Sequence, residues 1–150
     1  MGARRVGLKP EPWRWGRPRV LVEHRDEACG LALAASLRLA GYAVAVCTGP
    51  GQSESCPLTG SDGCPTAQDA DLLVSCLGFE RAEAREVLRG LRARCADVPV
   101  VVEVPPGLDA TWDELLGGWR VLSAPVTPEA ILAASRDALG GSVAVGGHRA

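Results

Sequence analysis

Residues 98–107 read VPVVVEVPPG, a run dominated by valine that two prolines and a glycine close abruptly. β-branched residues without polar alternation fit a strand buried on both faces better than one with a wet face. Strands of that kind belong to parallel sheets covered by helices on either side, which makes alternation of strand and helix the pattern to seek in the rest of the chain.

That pattern extends in both directions. RVLVE (19–23), YAVAVC (42–47), DLLVSC (71–76) and RVLS (120–123) are further short apolar runs bounded by polar or turn residues. Between the first two, Ala28, Leu31, Ala32, Ala35 and Leu39 recur at helical spacing, and Gly41 supplies a left-handed stop. Residues 80–95 predict an amphipathic helix through Val87, Leu88, Leu91 and Cys95, and 110–116 a short one with Trp112, Leu115 and Leu116 inward. Thr127 caps a last helix that has Pro128 at its first position, Glu129 near the positive dipole end, and Ile131, Leu132, Ser135 and Leu139 inward. The expectation is an α/β fold: a five-stranded parallel sheet with right-handed crossovers and helices on both faces.

One interval breaks the alternation. After Cys47 the residues TGPGQSESCPLTGSDGCPT make an ordinary helix difficult through about residue 66, so the second helix is expected to be replaced by a cysteine-containing loop.

The chain of 150 residues, 47% hydrophobic and with a formal charge of −2, suits one packed domain, placed at 18–140. Residues 1–17 form a basic arm without regular periodicity, expected to be flexible, whose Trp13 and Trp15 suit docking on the domain or on a partner. Nucleic acid is the weaker target for that arm, because the chain as a whole gives no electrostatic push toward it. The glycine-rich residues 141–150 are expected to be a disordered tail. No apolar run has the length of a membrane span, so a cytoplasmic protein is expected. Thiols stay reduced in that compartment, and six cysteines then point to packing, metal or redox work before permanent disulfides.

Over residues 18–140 the order of segments resembles the receiver domain of bacterial response regulators. The resemblance rests on RVLVEHRDEA, DLLVSCLG, VPVVVEVPP and VLSAPVTPEAILAA, the last with Ala124-Pro125 where the family has a lysine followed by a proline with a cis bond. It implies the flavodoxin-like strand order 2-1-3-4-5. It also implies a site at the carboxyl ends of the strands, where acidic residues hold magnesium beside a phosphoacceptor aspartate. Here the acidic pair aligns with His24 and Arg25, the acceptor with Cys76, the fourth-strand hydroxyl with Val104, the lysine with Ala124 and the aromatic switch residue with Val121. The expectation is a degenerate receiver that binds no magnesium, is not phosphorylated, and acts by binding a protein partner, homodimerisation included.

Cys56-Pro57 and Cys64-Pro65 form a pseudo-repeat inside the unusual interval. With the first strand between the second and third, His24 is expected between the tips carrying Cys47 and Cys76. Cys47, Cys56, Cys64 and His24, with Cys76 as a further ligand, could hold zinc or an iron-sulfur cluster. A Cys56–Cys64 disulfide and inert thiols are the competing readings, so a thiol or metal sensor stands as the alternative function. Cys29, in the first turn of a helix, and Cys95 are read as buried packing residues. A Cys76–His24 nucleophile and base lacks an orienting group and an oxyanion site, and EHRDEACG lacks the spaced glycines of a dinucleotide site; the chain is read as a non-enzyme.

Overall fold

Five parallel strands in the order β2-β1-β3-β4-β5 form the centre of the computed structural model: β1 (Arg19–His24), β2 (Ala43–Cys47), β3 (Leu72–Cys76), β4 (Val100–Val104) and β5 (Arg120–Ser123). The structure describes residues 16–50, 56–60 and 63–148, with 141–148 as backbone only. Trp13 and Trp15, with most of the basic arm, lie outside the described residues. The helices are α1 (Glu27–Leu39), α2 (Pro65–Asp69), α3 (Ala82–Arg94), α4 (Asp113–Leu116) and α5 (Pro128–His148), with single 3-10 turns at Pro57–Thr59 and Ala110–Trp112.

Alternation along each strand divides the core into two layers. Val20, Val22, Val44, Leu72, Val74 and Val101 pack with Leu33 and Leu37 of α1 and Ile131 and Leu139 of α5. Leu21, Ala45, Leu73, Val100 and Val102 pack on the other side with Val87, Leu88 and Leu91 of α3. Both faces are covered, as the valine-rich fourth strand implied. β5 is the short outer strand, and its Arg120 pairs with Asp137 of α5 at 3.4 Å, a charged edge of the kind that discourages sheet extension.

The caps follow the sequence. Gly41 has φ +103° and its N–H donates to the Arg38 carbonyl at the end of α1. Thr127 Oγ1 accepts from the Ala130 N–H at 3.1 Å at the start of α5, and the Ala124-Pro125 bond is cis.

Two helices depart from expectation. α1 turns a different face inward: Gly30, Leu33, Ala34 and Leu37 are buried, while Leu31 and Leu39 are exposed. The helix is apolar nearly all round, so two stripes satisfy helical spacing. The buried one contains Gly30, whose missing side chain lets α1 approach within contact of His24 Cβ and Val46 Cγ1. α5 continues through the glycine-rich stretch after residue 140 to His148, where no fixed shape was expected. Once a helix is nucleated, each added residue brings one more backbone bond and extension is cooperative, which outweighs the weak propensity of glycine.

The described part of the interval between β2 and β3 packs onto the domain, with Cys56 buried and Cys64 half-buried. Cys56, Leu58 and Ala67 are buried against α3, and α2 supplies one turn of helix ahead of β3. The seam with α3 is made at Gly90, where an added Cβ would run into the Leu58 carbonyl and lie 3.0 Å from Leu58 Cβ.

Arg92 fixes the lead into β5. Its Nη2 donates to the carbonyls of Leu115 at 2.6 Å and Gly117 at 2.7 Å, and its guanidinium lies 4.2 Å from the Trp119 ring centroid. α4 has only four residues and needs such an anchor. Arg92→Ala is expected to lower stability by about 2 kcal/mol through two charge-assisted bonds and a cation-π contact, read as a shift in the urea midpoint. Arg92→Lys should recover only part of it, because an ammonium cannot reproduce the planar fork.

Candidate functional site

The carboxyl ends of β1, β3 and β4 bring together the residues that align with a receiver's phosphorylation site. Register pairs His24 with Cys76 and Glu23 with Ser75 across β1 and β3, and Glu23 with Cys47 across β1 and β2. Successive residues point to opposite layers, so His24 and Cys76 lie on the α1/α5 side while Glu23, Ser75 and Cys47 lie on the α3 side.

Cys76, which the resemblance sets at the acceptor position, is buried. Its thiol is pushed up to about 12, first by desolvation and then by the charges of Glu103 and Glu23. A thiol so protonated is a poor nucleophile and a poor metal ligand at neutral pH. His24 Nδ1 accepts the Asp26 N–H at 3.0 Å, leaving the proton of the neutral ring on Nε2. Asp26 is occupied as the cap of α1: its Oδ1 accepts from the Cys29 N–H at 3.1 Å, and that bond holds its carboxyl below the usual range.

Arg25, which the resemblance sets against a magnesium-binding acid, reaches across the β3–α3 turn. Its N–H donates to the Cys76 carbonyl at 3.3 Å, and its Nη1 meets Glu80 Oε2 at 3.1 Å. Gly78 makes room for this arrangement. It has φ +89°, and a Cβ there would fall 2.7 Å from Arg25 Nη1. The tips of β1 and β3 thus carry an ion pair between Arg25 and Glu80.

Val104 is buried and offers no hydroxyl, Ala124 offers no amine, and Val121 is a partly exposed apolar residue on the outer strand. The carboxylates near these strand ends are otherwise engaged: Asp26 caps α1, Glu80 pairs with Arg25, Glu103 Oε2 accepts from the Val126 N–H at 3.4 Å, and Glu23 faces the other layer.

Glu23 and Ser75 were not singled out from the sequence. Glu23 is only 2% exposed, accepts a bond from Ser75, and has Oε1 without a partner among the described residues. Burial pushes its carboxyl up to about 7. The signal was an acid closing the apolar run RVLVE; a strand covered on both sides gives no alternation to show which layer receives it.

The proposed soft-ligand set is not assembled as folded. Among the described residues no three of His, Cys, Asp and Glu gather closely enough to hold a metal. His24 and Cys76 belong to one layer, whereas Cys47, Cys56 and Cys64 pack against the other. His24 also sits one position away from the residue paired with Cys47, and in a strand one position is the opposite face. The residues therefore do not fit zinc or an iron-sulfur cluster in this conformation. Cys29 is exposed, not buried, and the neighbouring Asp26 charge raises its thiol against any helix-dipole effect. Cys95 is buried as expected.

The chain folds as a response-regulator receiver domain. It is similar to a response regulator receiver domain protein from Clostridium thermocellum, with TM-score 0.65, 15% identity, and 85% of this chain and 98% of that chain covered. It is also similar to a CheY-like receiver domain protein from Methanospirillum hungatei JF-1, at TM-score 0.61, 16% identity and coverage of 84% and 96%. A third is a response regulator from Burkholderia pseudomallei described with a phosphorylated aspartic acid, calcium ion and citrate, at TM-score 0.56, 23% identity and coverage of 78% and 65%. Likeness at these identities establishes the fold. No family model matches the sequence, and no curated protein matches it.

Proposed function

We propose that this chain is a pseudo-receiver: a regulatory signalling module that is not phosphorylated, catalyses no reaction, and acts by binding a protein partner in the cytoplasm. The observation that carries the reading is the Arg25–Glu80 pair lying over Gly78 beside a buried Cys76. Arg25 supplies positive charge where a receiver recruits a metal ion, and the acceptor position holds a thiol in place of a carboxylate. Among the described residues no helix is long and apolar enough to cross a membrane, which agrees with this setting.

The partner surface follows from the outer strand. β5 presents exposed Arg120, Val121 and Ser123 beside the α4 end that Arg92 anchors. A second copy of the chain is one form such a partner takes, and sedimentation over a concentration series reads it directly.

Incubation with acetyl phosphate and magnesium is expected to leave the intact mass unchanged. A stoichiometric, acid-labile phosphoryl adduct would overturn the proposal. The thiol-based alternative retains one supporting observation, that Cys47, Cys56, Cys64 and Cys95 all pack in or against a single layer of the core.

A further inference from the structure

The cysteine-rich interval and the end of α3 meet at one point. Cys64 is the N-cap of α2, and its carbonyl accepts from the Gln68 N–H at 3.0 Å. Cys95 is the C-cap of α3. The residues just before them lie near one another: a Cβ added at Gly63 would be 3.6 Å from Arg94 Cδ. Both cysteines belong to the layer beneath α3, Cys95 as a buried member and Cys64 as a half-buried residue against it. A partly open thiol and a closed one thus share one layer, where position 63 comes near the Arg94 side chain.

We propose that Cys64 and Cys95 form a redox pair, oxidised by hydroperoxides to a disulfide that ties the interval after β2 to the end of α3. The accessible Cys64 reacts first. Its thiolate takes the terminal oxygen of the hydroperoxide as a sulfenic acid, the O–O bond breaks, and the departing oxygen leaves as water or an alcohol after taking a proton. The Cys95 thiolate then attacks the Cys64 sulfur, the S–O bond breaks and, with one proton, water leaves. Two thiols lose two electrons and two protons, and the hydroperoxide is reduced by the same two electrons.

The surroundings suit that order. Burial and the nearby charge of Cys64 both push the Cys95 thiol up, burial being the larger cause. Conversion of Cys64 to a neutral sulfenic acid removes the second of these at the moment Cys95 must ionise. Cys76 lies in the other layer and Cys29 is exposed on α1, so neither is positioned to resolve Cys64. The pairing differs from the Cys56–Cys64 bridge suggested by the pseudo-repeat, and it is independent of whether the phosphorylation site is dead.

The reduced full chain, treated stepwise with hydrogen peroxide and digested without reduction, tests this. The first cross-linked peptide is expected to join Cys64 to Cys95, with loss of two thiols per chain that a dithiol reductant restores. Cys64→Ser and Cys95→Ala should each abolish that cross-link, while Cys56→Ser should leave it. A first disulfide joining any other pair, equal thiol loss in the Cys64→Ser variant, or no intramolecular cross-link at all would overturn the assignment. Since Cys64 is half-buried and its serine variant should fold, the result does not depend on tolerance at Cys95.

Discussion

Above pH 7, Glu23→Gln is expected to be more stable than the parent chain, by a margin whose pH-dependent part is about 3 kcal/mol. The carboxyl ionises near 4.5 in the unfolded chain and near 7 when folded. Below pH 4.5 both states hold the proton and burial carries no ionic penalty. As pH rises through 7 the folded state must ionise a group with little solvation, and the stability associated with the proton is lost. Glutamine keeps the shape and the Ser75 contact and does not titrate. The difference in unfolding free energy between variant and parent, measured by urea titration from pH 4 to 8, should therefore grow across this window. Any constant offset reflects the second amide group, which inherits the unpartnered position of Oε1. A difference that stays flat with pH would show that Glu23 is ionised or solvated in the fold.

Gly90→Ala is expected to destabilise the protein by about 2–3 kcal/mol, although the same change in an open helix stabilises by about 1 kcal/mol. The new methyl would occupy space held by the Leu58 carbonyl and side chain. Backbone cannot rotate away as a long side chain does, so the turn Pro57–Thr59 must lift from α3 and carry buried Cys56 and Leu58 with it. Gly140→Ala serves as the control: that glycine lies in α5 with nothing within 4 Å of the added Cβ, and the change should be neutral or slightly stabilising. Faster alkylation of Cys56 in Gly90→Ala would confirm the lifting. Equal stability of the two variants would refute the seam.

The five strands could be read directly, because each is a short apolar run closed by residues that end strands for known reasons: Gly41 before β2, and the Pro105-Pro106-Gly107 stop after β4. The absence of acids at positions 24, 25 and 76, of a hydroxyl at 104 and of an amine at 124 needs only residue identity once the resemblance has set the alignment. What depends on long-range fit could not. Leu58 and Gly90, Cys64 and Cys95, and Arg92 and Trp119 are far apart in the chain, and no local pattern couples them. The inner face of α1 was ambiguous because Leu31 and Leu39 satisfy helical spacing as well as Leu33 and Leu37 do. Strand parity divides the proposed metal ligands, which spacing in the sequence does not show: Cys47 is in register with Glu23 and Cys76 with His24, on opposite sides of the sheet.

Glu23 lies on the α3 side of the sheet, yet its charge raises the thiols of both Cys76 and Cys95. Such coupling is reciprocal: a thiolate in either layer makes Glu23 a weaker acid. Once Glu23 has ionised, above about pH 7, its charge stands against thiolate formation at both cysteines. A carboxyl with no access to solvent thus helps keep sulfur protonated on both sides of the sheet.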